Sequence, residues 1–328
     1  MNILSRRKLW NYKLIEYQKK RGSSIVFGYP LWLTIDPSNI CNLRCVFCPT
    51  GQQRGTRSQT IMPLGKFKKI IDTLGPYLFH IDFCNWGEPL LNKDLPEMVA
   101  YARRFGPSTK IDTNLNIDMS REDARRLIAS GLDRLNISVD GASQQTYEKY
   151  RWGGDFEKVM RNMRLLTDVR REMKSNTPHI HWQFLVFKHN EHERESAKKM
   201  SHDIGVDSIG FTAPFCAPEW VSTIDEYNNY IKKDDNSVEF KHVQTQCNWL
   251  WDAITINADG SVSPCCSVEE QKDDFGNFFS KPFFFVWNNA CYRKARRYIM
   301  TKIQSTRANI CMRCDHIGAS NHASIRRD

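Results

Sequence analysis

The chain has 328 residues, 41% hydrophobic and 26% charged, with a formal net charge of +10. No stretch approaches the ~18 apolar residues of a membrane span, and the N-terminus lacks the apolar run of a secretory signal. Eleven cysteines, an odd number grouped at metal-ligand spacings, fit a reducing cytoplasm better than a disulfide framework.

Basic residues crowd at Arg6, Arg7, Lys8, Lys13, Lys19, Lys20 and Arg21, in an N-terminal extension of residues 1–30, and again at Arg293, Lys294, Arg296 and Arg297. Such runs usually form solvated helix faces. The functional alternative is attraction of an anionic small molecule, phosphorylated or nucleotide-linked. The pattern holds no recognition module for nucleic acid.

From Leu31–Asp36, an apolar strand, to about Pro214, strands and helices alternate. Directly after the first strand stands Cys41-Asn42-Leu43-Arg44-Cys45-Val46-Phe47-Cys48-Pro49, a C-x3-C-x2-C triplet. A helix is expected over Leu64–Leu74 and a strand over Phe79–Cys84, followed by Asn85-Trp86-Gly87-Glu88-Pro89. There a glycine lets the backbone approach a ligand, and a carboxylate can hold an ammonium group. Helix Asp94–Arg104 and strand Thr109–Thr113 come next, with Asn114 closing the strand. Helix Arg121–Ala129 opens after Ser120, with Asp123 at the capping-box position, and stops at Gly131. Strand Arg134–Val139 runs into Ser138-Val139-Asp140-Gly141, whose polar groups can bond ribose hydroxyls or a carboxylate and which is otherwise a turn. Then come Tyr150-Arg151-Trp152-Gly153-Gly154, helix Phe156–Lys174, strand His179–Phe187, helix His192–Ile204 and strand Ser208–Thr212. Period-two alternation puts Gln183 with His181 and Leu185 on one face of the fifth strand, toward a cavity. His179, His181, His189 and His192 read as element surface rather than metal ligands.

Six strands separated by helices imply parallel βα units with right-handed crossovers. A closed eight-unit barrel needs about 250 residues, so residues 31–216 fit an open, partial (β/α)6 barrel. Active sites of parallel α/β sheets lie at the carboxyl ends of the strands, and the Cys41 triplet falls at that end.

Three thiolates at this spacing can wrap three corners of a four-iron cluster, leaving one iron without a protein ligand. A zinc site is the alternative, although it needs a fourth ligand and usually comes as paired C-x2-C knuckles. Residues 217–245 read as an acidic, Asn-rich connector. Residues 246–328 form a small C-terminal β-hairpin and helix domain. In it, Ile254-Thr255-Ile256 and Ser261-Val262-Ser263 flank an Asp259-Gly260 turn. The hairpin draws Cys247 toward Cys265, and Cys311-Met312-Arg313-Cys314 adds a C-x2-C pair. Four thiolates can close a complete site, which zinc or an iron–sulfur cluster would satisfy equally. Cys266 neighbours Cys265 and is able to replace it. Cys84 and Cys291 read as buried small hydrophobes. Cys216 follows the sixth strand, where a thiol can reach the cavity mouth.

At the Cys41 triplet and Phe47 the chain resembles the radical S-adenosylmethionine (SAM) superfamily. The resemblance implies the partial barrel, a [4Fe-4S] cluster on Cys41, Cys45 and Cys48, and SAM chelated to the open iron. Reductive cleavage would then give a 5′-deoxyadenosyl radical. It also implies that Phe47 packs near the adenine and that Gly87 and Glu88 bind the SAM amino group, with Trp86 replacing the commoner first glycine. Asn114, Ser138 and Asp140 would reach SAM polar groups, Arg151 the SAM carboxylate, and Gln183 the cofactor's neighbourhood. The C-terminal stretch resembles the abbreviated "twitch" form of the SPASM extension. That implies a second, auxiliary [4Fe-4S] cluster on Cys247, Cys265, Cys311 and Cys314. No cysteine follows Cys314, and Ser320 stands where a further ligand would be sought.

The implied activity is hydrogen-atom abstraction from a small molecule such as a sugar, cyclitol or nucleotide-like compound, ending in two-electron dehydrogenation of a hydroxyl carbon. A flavodoxin or ferredoxin would donate electrons. One alternative is a radical epimerase with Cys216 as hydrogen-atom donor. Another is a ribosomal-peptide-modifying enzyme, which the short 30-residue lead into the first strand disfavours. The non-enzymatic alternative is a zinc-binding structural protein.

Overall fold

The computed structural model describes residues 6–54, 57–228, 230–232, 238–240, 247–303 and 309–314. Six parallel strands form the barrel sheet: β1 (Trp32–Ile35), β2 (His80–Asp82), β3 (Ser108–Thr113), β4 (Arg134–Ser138), β5 (His179–Leu185) and β6 (Ser208–Thr212). They alternate with helices α2 (Leu64–Leu74), α3 (Leu95–Arg103), α4 (Arg121–Ala129), α5 (Gln144–Tyr150), α6 (Phe156–Glu172) and α7 (Arg194–Ile204). The sheet is an open partial barrel, as expected. Strand alternation sets its two faces. Along β5, Ile180, Trp182 and Phe184 are buried in one core with Val159, Met163 and Leu166 of α6, while His179, His181 and Gln183 face the other way, into the lumen. The capping box at Ser120 and Asp123 is present, and Gly131 takes the left-handed conformation that ends α4.

Two expectations change. The C-terminal hairpin does not stand apart from the barrel: β9 (Ala253–Ile256) pairs in parallel with β1, from Trp32 opposite Ala253 to Ile35 opposite Ile256. β10 (Val262–Ser263) then pairs antiparallel with β9, giving one sheet in the order β10-β9-β1-β2-β3-β4-β5-β6. The connector carries a two-stranded hairpin of its own, β7 (Tyr230–Lys232) with β8 (Val238–Phe240). Gln246 and Ser320 lie outside the described residues. No helix among the described residues is long and apolar enough to cross a membrane.

The basic N-terminal extension is a structural element rather than a tail. It forms α1 (Arg6–Lys20), whose buried face is Lys8, Asn11, Ile15 and Gln18. Asn11 and Gln18 bond the backbone at Phe27, Gly28 and Tyr29. Lys19 pairs with Asp252 at 2.8 Å, in the short helix α8 (Trp249–Asp252). The segment after α1 then bonds Asn288, between α9 (Phe283–Trp287) and α10 (Ala290–Thr301), through Val26 at 2.7 and 2.8 Å.

One buried ion pair ties the loop after the first cysteine triplet to the C-terminal hairpin. The Arg57 guanidinium meets both carboxylate oxygens of Asp274 at 2.6 and 2.7 Å and also donates to Ser261 and Ser263. Removing one partner of such a pair strands the other charge, at a cost of about 3 kcal/mol or more. Asp274→Asn should therefore lower the stability by that order in a denaturant titration, with Asp273→Asn, outside this pair, as the comparison. Equal behaviour of the two variants would mean that the clamp contributes nothing.

Candidate active site and auxiliary cysteine site

The loop that carries Cys41, Cys45 and Cys48 is held from below by backbone bonds, Arg44 N–H to Trp152 at 3.0 Å and Val46 N–H to Tyr150 at 3.1 Å. Polar groups converge on its sulfurs. Asn114 Nδ2 lies 3.6 Å from Cys41 Sγ, and Arg151 Nη1 lies 3.7 Å from Cys45 Sγ. Burial pushes the Cys41 thiol up to about 12, and Glu88, Cys45 and Cys48 push it further in the same direction. Burial raises Cys45 as well, opposed by Arg151. Thiols crowded in this way become thiolates only when a cationic centre stands among them, so the donor set fits an iron–sulfur cluster. Among the described residues, no three His, Cys, Asp or Glu side chains converge tightly enough to hold a single metal ion.

The second set is also drawn together. Cys247, Cys265 and Cys314 each raise the thiol of Cys311 after its burial, and Cys247 and Cys314 raise that of Cys265, which reaches about 12. Cys266 also raises the thiol of its neighbour Cys265, but it meets a different environment. Beyond burial and its bonds at Ser267 and its own backbone, the charges acting on it are Asp82 and Lys110 in the barrel lumen. Of the two, it is Cys265 that acts on Cys311. Cys84 sits inside the barrel, half-buried, with Asp112, Asp36, Glu88 and Cys41 around it. Cys291, expected to be buried, is exposed on α10.

The expected SAM contacts divide into two groups. Glu88 is fully buried and already accepts three bonds, from Thr113 Oγ1 at 2.6 Å, Asn114 N–H at 2.8 Å and Leu90 N–H at 3.0 Å. A carboxylate has further lone pairs for an ammonium group. Gly87 is dictated by its own chain. A Cβ there would stand 1.7 Å from the Ser38 carbonyl oxygen, so the close approach to β1's loop alone requires a glycine. Trp86 turns to the C-terminal segment, its Nε1 donating to Val268 O at 3.0 Å. Asp140 is fully buried, accepting from Arg151 Nε at 2.6 Å and Leu185 N–H at 2.6 Å, which leaves it orienting the guanidinium. Ser138 and Gln183 lie opposite each other on β4 and β5. Phe47 forms an aromatic corner with Tyr150 and Trp220, at 6.1 and 5.2 Å between ring centres. Cys216 is buried in the same apolar cluster, alongside Cys45 and Tyr150, with Cys48 and Phe47 packed against it.

Several groups escaped the sequence reading. The His179 and His181 side chains share Ser208 Oγ at 2.8 Å each and so belong to the lumen. Next to them run Asp112, bonded by Asn136 at 2.7 Å and Lys110 at 3.0 Å, and Asp82, bonded by Lys110 at 3.0 Å. Strand alternation, applied to β3 as it was to β5, exposes these positions. Asp36, closing the first strand, accepts from Asn85 N–H at 2.6 Å and Trp86 N–H at 3.1 Å, a role without a local signature. Finally, a cavity of about 300 Å³ opens where the segment leaving Cys265 meets the first loop. It is lined by Asn39, Pro49, Thr50, Gln53, Arg57, Gln59, Trp86 and Glu269.

Comparison with known proteins decides the assignment. The radical SAM superfamily profile matches residues 35–195, and the iron–sulfur cluster-binding SPASM profile matches residues 247–315. The chain belongs to the radical SAM superfamily. Its barrel therefore implies a [4Fe-4S] cluster and SAM, and its SPASM extension implies auxiliary iron–sulfur. Among relatives, this radical SAM chain is similar to the Fe-coproporphyrin III synthase of Methanosarcina barkeri, with 34% identity over 124 residues, 38% of this chain and 30% of that protein. The chain thus spans less than a third of that relative's length. It is also similar to the AdoMet-dependent heme synthase of Nitratidesulfovibrio vulgaris, with 24% identity across 84% of this chain and 82% of the relative. Among solved structures, Streptococcus suis SuiB bound to S-adenosylmethionine shares the fold, with a TM-score of 0.63 and 15% identity over 88% of this chain and 72% of that one.

Two measurements test the site. With two four-iron clusters the protein should hold about eight irons. Cys265→Ala should lose about half of them and Cys266→Ala none, whereas equal loss from both would reverse the assignment of the pair. Separately, burial pushes the Asp36 carboxyl up to about 7, against the bonds from Trp86 and Asn85. With a folded pKa above the unfolded ~3.9, the folded state binds more protons between the two values. Stability then falls as pH rises from about 4 to about 7 and is constant above that for this group. Asp36→Asn should flatten the fall in melting temperature over that range, and an unaltered slope would assign it to other residues.

Proposed function

We propose that this radical SAM enzyme dehydrogenates a hydroxyl-bearing carbon of a small polar molecule, of sugar, cyclitol or nucleotide-like type. In this reading Cys41, Cys45 and Cys48 hold the SAM-binding cluster, and Cys247, Cys265, Cys311 and Cys314 hold one auxiliary cluster. Glu88 takes the SAM amino group, and Arg151, steadied by Asp140, stands beside the SAM carboxylate. Ser138 and Gln183 reach its polar groups from the lumen, while Phe47 and Tyr150 wall the adenine. Once loaded, SAM and the clusters supply a 5′-deoxyadenosyl radical that removes one hydrogen atom and an acceptor for the second electron. The remaining hydroxyl proton leaves to the protein, where the Glu269 carboxylate lines the cavity.

The observation that carries the reading is the chemistry of the 300 Å³ cavity. Amide side chains from Gln53 and Gln59, a hydroxyl from Thr50, a carboxylate from Glu269 and the indole face of Trp86 suit a hydroxylated ring. The volume is at the low end for small-ligand sites. Such a lining is poorly matched to a porphyrin, the kind of molecule named for the two heme-pathway relatives. A one-electron donor protein, flavodoxin or ferredoxin in type, completes the cycle.

Cys216 favours a second reading. A buried thiol in the same apolar cluster as Cys45, with Phe47 and Cys48 packed against that cluster, supports a role in returning a hydrogen atom to a substrate radical, as an epimerase requires. Anaerobic turnover in deuterium oxide separates the two, using SAM, a reductant and a panel of sugars, cyclitols and nucleotide sugars, with 5′-deoxyadenosine followed by mass spectrometry. Dehydrogenation should give a carbonyl product without solvent deuterium at the reacting carbon, and Cys216→Ser should retain turnover. One deuterium in the product, together with loss of product but continued 5′-deoxyadenosine formation in Cys216→Ser, makes the enzyme an epimerase. If 5′-deoxyadenosine is coupled to product only with peptides, the small-molecule reading falls.

A further inference from the structure

Arg296 is a buried cation that the site as described leaves without use. It lies on α10 and is completely buried. Its Nε donates to the Leu250 carbonyl at 2.8 Å, and Nη1 donates to Ser24 O at 3.2 Å and Asn288 Oδ1 at 3.1 Å. Nη2 is buried and has no hydrogen-bond partner among the described residues. The guanidinium lies over two aromatic rings, 4.6 Å from the centre of Trp287 and 5.0 Å from that of Tyr292. No carboxylate among the described residues pairs with it. The contrast with Arg151 and Arg57 is direct, because each of those holds an aspartate at 2.6 Å.

A buried charge without a counter-charge is strongly unfavourable, by several kcal/mol even after relaxation. Neutral carbonyls and aromatic faces offset part of that cost. Burial lowers the Arg296 pKa to about 9, so the group is still cationic at neutral pH. The missing anion is to be sought next to Tyr292, whose ring lies under the guanidinium. Tyr292 is fully buried, its hydroxyl reaches the carbonyl of Ser263, two residues before Cys265, at 3.5 Å, and α10 packs against the short turn Ile310–Met312 that carries Cys311. Leu250, which Arg296 caps, stands three residues after Cys247. Arg296 thus lies among the elements that carry Cys247, Cys265 and Cys311, three of the four cysteines of the second set.

We propose that Arg296 is the built-in counter-charge of the auxiliary cluster and sets its reduction potential. The inference rests on the reading of Cys247, Cys265, Cys311 and Cys314 as a four-thiolate site. Four thiolates outweigh the positive charge of an iron–sulfur core, so the loaded site is an anion, and one-electron reduction makes it more so. A fixed cation stabilises the reduced state more than the oxidised one. Net charge, hydrogen bonding to sulfur and burial are the levers by which a protein moves such potentials. Trp287 and Tyr292 hold the guanidinium in place and keep water from screening it. Arg296 is on this view a tuning residue. Its charge acts through space, and its capping bonds to Leu250 and Ser24 are a separate, structural role.

The two roles part experimentally. The full-length protein, with both clusters reconstituted, is titrated under redox control, and each cluster is followed by electron paramagnetic resonance. Arg296→Gln should make the auxiliary cluster harder to reduce by about tenfold in equilibrium constant, about 59 mV for one electron. Arg296→Lys, which keeps the charge, should stay near the wild-type value, and the barrel cluster should not move in either variant. Asn288→Asp gives a second route that leaves Arg296 in place. It puts a carboxylate at the 3.1 Å contact, and it should shift the auxiliary potential in the same direction as Arg296→Gln. An unshifted potential in both Arg296→Gln and Asn288→Asp, with iron content intact, overturns the proposal. Equal shifts in the Lys and Gln variants also overturn it, because loss of packing rather than of charge would then be responsible. A wild-type protein with only about four irons would instead refute the four-thiolate reading, and with it the anion that Arg296 would serve.

Discussion

Parallel pairing of β9 with β1 is the constraint on which the arrangement of both cysteine sets depends. β1 delivers the chain to the Cys41 loop at its carboxyl end, and β9 runs alongside it in the same direction. The turn at 257–260 therefore lies at the same end as that loop. β10 then returns antiparallel and brings Cys265 back toward Cys247 and α8, at the start of β9. The two cysteine sets are thus fixed toward opposite ends of one strand pair, separated along the strand by about 3.3 Å per residue. Residues 266–269 climb back, with Trp86 holding Val268 and Arg57 holding the Glu269 carbonyl. A single main-chain ladder and two side-chain clamps thus place the substrate-sized cavity against the first loop and connect it by a few residues to the second set.

Charge placement follows the same logic. The net charge of +10 is a poor guide to it, because most of the basic side chains lie in water. The three guanidinium groups that matter are buried. Arg151 stands between Asp140 and Cys45, so its charge is shared between a fixed carboxylate and the first cysteine loop. Arg57 is neutralised by Asp274 and serves as a clamp. Arg296 faces only carbonyls, an amide and aromatic rings. Their different partners give them different tasks: one orients, one fastens, and one is left with a field to exert.

Most of the barrel was legible because its signals are local. α2 begins and ends where its 3.6-residue apolar period does, α4 where its capping box and Gly131 require, and the β6 limits match the apolar run Ser208–Thr212. The cysteine triplet gave the first candidate site directly. What could not be read was carried by long-range pairing. Nothing in Ala253–Ile256 distinguishes a strand that completes its own hairpin from one that extends a sheet begun over two hundred residues earlier. The same holds for Asp36 and Arg57, whose partners are dozens or hundreds of residues away. Gly87 was legible as a close approach, but the sequence does not say to what, and the answer is the Ser38 carbonyl.

α1 shows why the ends of the chain were hardest to read. Its buried positions are Lys8, Asn11, Ile15 and Gln18, so its inward face is mostly polar and a search for an apolar stripe passes over it. The helix is held by specific bonds instead: Asn11 to Tyr29 on both the N–H and the carbonyl, and Gln18 to two successive N–H groups. Those bonds fix the segment 22–29, and that segment in turn meets the C-terminal part through Ser23 to Trp251, Ser24 to Arg296 and Val26 to Asn288. The residues that hold Arg296 are therefore drawn from both ends of the chain. A residue with no charged partner needs a rigid enclosure to stay where it is, and the first thirty residues supply one wall of it. The N-terminal segment is thus part of the auxiliary site's construction, although it contributes none of the seven cysteines proposed as ligands.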